Sequence, residues 1–267
     1  MLLHSFRFKS NRLDFETHLK YASLIEELSR GLKISSSLVP KLKSSQIDLL
    51  KDKIQLVKLT KTSIDQEYKI VLVDKEYSSA SVLWLPIKTY YLLYHLLCIT
   101  DCLITGKTTS LTAGHHDCVN TFNALLKKSE IQFNKPLLNS VFDPTILNFV
   151  SKSGEHLRND AQDDRVYSLI MKKVANGKID NYKIVQGLSG RRPKDKVRIA
   201  NFTKNMEVSI FDFFHLMRLR MNYRNLDFVD NIPSSDTKVY FEKYYTSADN
   251  FYKCFSTYIN ELIKLCP

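Results

Sequence analysis

His215, Arg218 and Asn222 recur at i, i+3 and i+7 inside FDFFHLMRLRMNYRNLDF, residues 211–228. At about 100° of rotation per residue they fall on one strip of a helix. Ile210, Phe213, Phe214, Met217 and Met221 share one apolar side of that helix, and Leu216, Leu219 and Tyr223 fall on a second. An imidazole can exchange a proton near neutral pH, a guanidinium holds phosphate oxygens in a fixed fork, and an amide can orient either. Two readings stay open. In one, His215 is the acid/base, Arg218 clamps phosphate and Asn222 positions one of them. In the other, the three form a polar seam whose members satisfy one another or nearby carbonyls.

Other residues of the right types are more scattered. His95 and Asp101 lie in a strongly apolar stretch, where a lone histidine reads as a satisfied core residue. His115 and His116 with Asp117 open a helix, a setting that suits capping as well as metal binding. His156, Arg158 and Asn159 repeat the chemical types of the first strip. Between 190 and 199, SGRRPKDKVR concentrates Arg191, Arg192, Lys194, Lys196 and Arg198 against one acid, Asp195. That cluster is the best phosphate-backbone footprint in the chain, or else a solvated loop. Tyr90, Tyr91 and Tyr94 carry rings that stack on bases in other settings, but their apolar surroundings assign them to the core.

The elements that must position these groups read as helices. Seven Gly and seven Pro in 267 residues argue against a turn-rich β protein, and neither GxGxxG nor GxxxxGK[ST] occurs. The 39 Lys+Arg against 28 Asp+Glu give a formal charge of +11, which favours RNA or another polyanion as partner. Five cysteines without a CxxC, and no signal-like N-terminal run, lead to the expectation of a cytoplasmic protein needing no metal and no cofactor. The apolar run from Tyr90 to Ile104 is too short to span a bilayer comfortably, so no membrane partner is expected.

Along the chain, amphipathic patterning predicts helices over 13–30 and roughly 44–58, then a short strand or extended connector in EYKIVLVD, 67–74. Pro86 is read as the first turn of a central helix that stops near Gly106. Further helices are expected at about 116–128, 143–152 and 205–224. The longest covers 236–264, where Phe241, Tyr244, Ala248, Phe251, Phe255, Tyr258 and Leu262 alternate by three and four. The fold class is therefore all-α, with an N-terminal helical extension over 1–80. A helical bundle over 81–267 follows, interrupted by a basic insertion around 155–200.

The tyrosine-rich central helix, the Gly114-His115-His116 helix start and the late helix with Arg218-Leu219-Arg220-Met221-Asn222-Tyr223 together resemble the HEPN superfamily over about residues 84–265. The resemblance implies an all-α, often dimeric domain associated with RNA, as in toxins and bacterial defence systems. In active members an Arg and a His four to six residues apart cleave RNA without a metal. Here Tyr223 stands where the family places its His, and Leu219 follows Arg218 where a polar residue is common. The implied site is then a degenerate one: Arg218 with His215 as the substitute imidazole, beside Asn222 and Tyr223. A helical module that dimerises or docks a partner without catalysis is the competing expectation.

Overall fold

The seam read from 241 to 262 is the spine of the molecule. In the computed structural model, Phe241, Tyr244, Ala248, Phe251, Phe255, Tyr258 and Leu262 are all buried along one helix, Ser234–Lys264. Alternate steps of three and four keep one face turned inward over the whole length. The structure describes residues 15–35, 38–134, 141, 163–223 and 234–267; for 15–18, 116, 163–170, 173, 219–223 and 234–236 this extends to the backbone only.

The described residues form eight α-helices: α1 (Phe15–Arg30), α2 (Lys51–Val71), α3 (Lys75–Thr105), α4 (His115–Lys127), α5 (Asp163–Val185), α6 (Pro193–Asn205), α7 (Ile210–Tyr223) and α8 (Ser234–Lys264). Two-residue strands β1 (Lys33–Ile34) and β2 (Ile131–Gln132) pair antiparallel, with Lys33 opposite Gln132. The architecture is all-α. One hydrophobic core runs from Tyr21 on α1 to Leu262 on α8, and the 80/81 boundary falls inside α3. The expected helix at 143–152 lies outside the described residues.

α3 is apolar around its circumference and packs on α2, α4, α7 and α8. At 31 residues the whole helix is long and apolar enough, by length and composition alone, to cross a membrane, although the apolar run Tyr90–Ile104 within it is shorter. In this fold 67% of its most apolar window is buried against its neighbours. Gly106 ends it at φ 71°, and a Cβ there would meet the Lys41 carbonyl oxygen at 3.0 Å, so glycine is required on two counts.

Two local readings are corrected. The 67–74 segment is not extended. α2 continues through Val71, because Val57, Lys61, Ile64, Glu67 and Val71 form a buried stripe of helical period, while Ile70, Leu72 and Val73 face outward. Nor does α3 begin at Pro86. It begins after Asp74, whose carboxylate accepts from the Tyr77 N–H at 2.9 Å, and Pro86 sits well inside it. An internal proline frees the carbonyl four residues earlier, here that of Val82. The Tyr240 hydroxyl of α8 donates to that oxygen at 3.1 Å, replacing the missing helix bond from across the core.

Ion pairs bind the helices laterally. Lys88 on α3 meets Glu67 on α2, and Glu67 is only 2% exposed. Lys61 on α2 reaches Asp249 on α8 at 3.2 Å as well as Asp65 at 2.5 Å. Lys243 on α8 pairs with Glu26 on α1, and Lys178 on α5 with Asp212 at the start of α7.

Candidate functional site: a histidine, tyrosine and arginine cluster

α7 presents His215 and Arg218 to the middle of α3, and the first residue of α4 enters the same place. The Asp117 carboxylate accepts from the Gly114 N–H at 3.2 Å, closing the first turn of α4 and fixing where His115 projects. Tyr90, Tyr91, Tyr94 and His95 lie on one side of α3, being spaced i, i+1, i+4 and i+5. Their rings meet both incoming histidines. His115 and His215 stack with centroids 5.5 Å apart, and His115 lies 4.6 Å from Tyr94. Tyr90 is 5.9 Å from His215.

Arg218 completes the cluster. Its Nη2 donates to the Tyr91 hydroxyl at 2.9 Å, and its guanidinium carbon lies 5.3 Å from the Tyr91 ring centre and 5.9 Å from that of Tyr90. Its Nε is buried and has no hydrogen-bond partner among the described residues. On the far side, Lys53 of α2 sits over the Tyr94 ring at 5.2 Å. No carboxylate among the described residues pairs with either cation. Arg218, His215, His115, Tyr91, Tyr94 and Lys53 are all half-buried.

The electrostatics follow from this placement. Burial pulls the His115 ring down to about 4, and the Arg218 charge pushes the same way. His95 also falls to about 4, through burial, then Lys53, then His115. Both rings are neutral at pH 7. Burial raises the Tyr90 phenol well above the ordinary tyrosine value, so it keeps its proton. The Tyr90 hydroxyl and His115 Nδ1 share a hydrogen bond at 2.8 Å. The site thus offers a permanent guanidinium, an ammonium and a neutral imidazole.

Of the residues singled out from sequence, His215 and Arg218 come together as the strip required, and His115 and His95 join them. The side chains of Asn222, Tyr223, Leu219 and His116 lie outside those described, as do His156, Arg158 and Asn159 altogether. Tyr91 and Tyr94 are half-buried members of the cluster rather than core, whereas Tyr90 is buried as expected. Lys53 carried no distinguishing signal in a lysine-rich helix. The i, i+1, i+4, i+5 spacing of three tyrosines and a histidine was a legible sign of a polar-tipped face. Among the described residues no group of three His, Cys, Asp or Glu side chains is arranged to hold a metal.

The basic cluster forms a separate feature. Arg191 and Arg192 precede α6, and Lys194, Lys196 and Arg198 ride its first two turns, all exposed. Ser189 donates through N and Oγ to the Asp195 carboxylate, both at 2.8 Å, and holds that carboxyl below its ordinary value. Arg198 donates to Gln186 at 2.8 Å. α6 packs on α5 through Phe202 stacked on Tyr182 and buries no residue of its own. No hydrogen bond, ion pair or ring contact of these five basic residues reaches the histidine–tyrosine cluster.

No family profile, curated protein or solved structure matches this chain.

Proposed function

We propose that this chain is an RNA-interacting protein of HEPN type whose phosphodiester site is formed by His215, Arg218 and His115. One observation carries the reading: the Arg218 guanidinium and the Lys53 ammonium converge with two histidine rings on an aromatic patch, and no described carboxylate pairs with either cation. A polyanion is the ligand such a site lacks. In this reading the unpartnered Nε and remaining Nη hydrogens of Arg218 hold the non-bridging oxygens of a phosphate. His115 donates its Nε2–H to the same group as charge builds in the pentacoordinate state. His215 removes the proton from the ribose 2′-hydroxyl, the 2′-oxygen attacks phosphorus, and the 5′-oxygen leaves with a proton from solvent. The products are a 2′,3′-cyclic phosphate and a 5′-hydroxyl. The exposed basic residues at 191–198 supply a second, sequence-independent hold on the RNA backbone.

A non-catalytic module is the second reading, favoured by the Arg218–Tyr91 hydrogen bond, which already engages one end of the guanidinium. The two separate in one assay. Single-stranded RNA is incubated with the protein in chelator, alongside His215→Ala and Arg218→Ala. Cleavage lost in both variants at unchanged Tm supports the site. An intact protein that cuts nothing, with variants that melt earlier, supports the seam.

A further inference from the structure

Beneath the cluster, Cys98 of α3 and Cys118 of α4 bring their Sγ atoms to 3.4 Å, both side chains buried and both thiols free. No other two of the five cysteines are joined this way. We propose that Cys98 and Cys118 are a reversible dithiol–disulfide site that takes a small hydroperoxide as its oxidant.

Three observations support it. The first is separation: a disulfide needs the sulfurs at about 2.05 Å, so rotation and a slight approach of two adjoining helices close the gap. The second is access. A narrow hollow between α3, α4 and α7 is walled by Tyr90, Tyr94, Leu97, Cys118, Phe211 and their neighbours, and it reaches the pair from the Cys118 side. Its interior is about one water molecule across, which excludes a bulky disulfide such as oxidised glutathione. The third is chemistry. The Cys118 contact shifts the Cys98 thiol down against the effect of burial, with Lys53 adding to the shift, while Cys118 is shifted up. The two sulfurs share one proton once the other has left, so a thiolate forms at this contact.

One of the two sulfurs attacks one peroxide oxygen, the O–O bond breaks, and sulfenic acid and water form. The other sulfur then attacks the first, the S–O bond breaks, and a second water leaves with the remaining thiol proton. Overall two thiols and one H₂O₂ give one disulfide and two waters. Tyr94 lies one turn before Cys98 and donates to the Ala113 carbonyl, and His115 lies one turn before Cys118. The bond would staple together the two turns that hold this side of the cluster. The dithiol stands independently of any RNA chemistry.

The test treats the reduced full chain with H₂O₂ or with oxidised glutathione and maps its peptides without reduction. The expected result is a Cys98–Cys118 linked peptide and the mass loss of two hydrogens, reversed by dithiothreitol. It should form at least about tenfold faster with H₂O₂ than with the glutathione disulfide. Tm should rise on oxidation, and Cys118→Ser should stop at a Cys98 sulfenic acid. Mapping the unmodified chain keeps the test valid if that variant folds poorly. An unchanged mass, a link through Cys102, Cys254 or Cys266, or glutathione disulfide acting as fast as peroxide would each overturn the proposal.

Discussion

Acid should loosen the histidine–tyrosine cluster before it unfolds the rest of the bundle, and the size of the effect follows from two rings. His95 and His115 each titrate near 6.5 in an unfolded chain and at about 4 here. Between those values the unfolded state binds more protons than the folded one, so stability falls as pH falls. The contribution is fully present above about 6.5 and gone below about 4. A displacement of this size corresponds to about 3 kcal/mol for one fully enclosed ring. Both rings are half-buried, so solvent screening reduces this to about 1–2 kcal/mol each. The groups facing them work in the same direction: Lys53 and the His115 ring act on His95, and Arg218 acts on His115. The double variant His95→Gln, His115→Gln keeps polar side chains but removes both titrations. Urea unfolding at pH 7, 5.5 and 4.5 should show the parent losing about 2–3 kcal/mol more than the variant. Carboxylates elsewhere titrate equally in both proteins and cancel. Parallel losses in the two would refute the reasoning, because the rings would then titrate alike folded and unfolded.

Further outcomes follow from single contacts. Tyr240→Phe leaves the Val82 carbonyl without a donor and should cost about 1–2 kcal/mol, but much less in a Pro86→Ala background, where a helix N–H returns; a double-mutant cycle by urea unfolding reads the coupling. Lys88→Ala strands the Glu67 carboxylate in the α2–α3 interface and should cost about 3–5 kcal/mol, while Lys88→Met with Glu67→Leu should recover most of it; thermal melts rank the three. Replacing Arg191, Arg192 and Lys194 by Ala should weaken RNA binding and flatten the dependence of log K on log salt by about 2, measured by fluorescence anisotropy across a salt series.

Legibility differed by element, and the reasons are physical. The α8 seam could be read whole because all seven residues obey one local period against one continuous partner surface. Pro86 misled because its tolerance inside α3 depends on a hydroxyl 154 positions later, which no local rule contains. EYKIVLVD misled because its outward Ile70, Leu72 and Val73 imitate a strand run, whereas the decisive burial of Glu67 depends on Lys88 of the next helix. At the site, the His215–Arg218 strip was visible because it lies within one helix. Its partners were not: His115 arrives from α4, Lys53 from α2, and the tyrosines from a helix so apolar that their hydroxyls were easily discounted.

The central claim is that His215 and Arg218 act on an RNA phosphodiester through the ribose 2′-oxygen. It is tested most directly by the product ends of a short single-stranded RNA cut in chelator, beside the same RNA carrying one 2′-deoxy sugar at the cleaved position. The account predicts 2′,3′-cyclic phosphate and 5′-hydroxyl ends, and no cut at the deoxy site. Unchanged cutting at that site, 3′-hydroxyl ends, or no cleavage by the folded protein would contradict it.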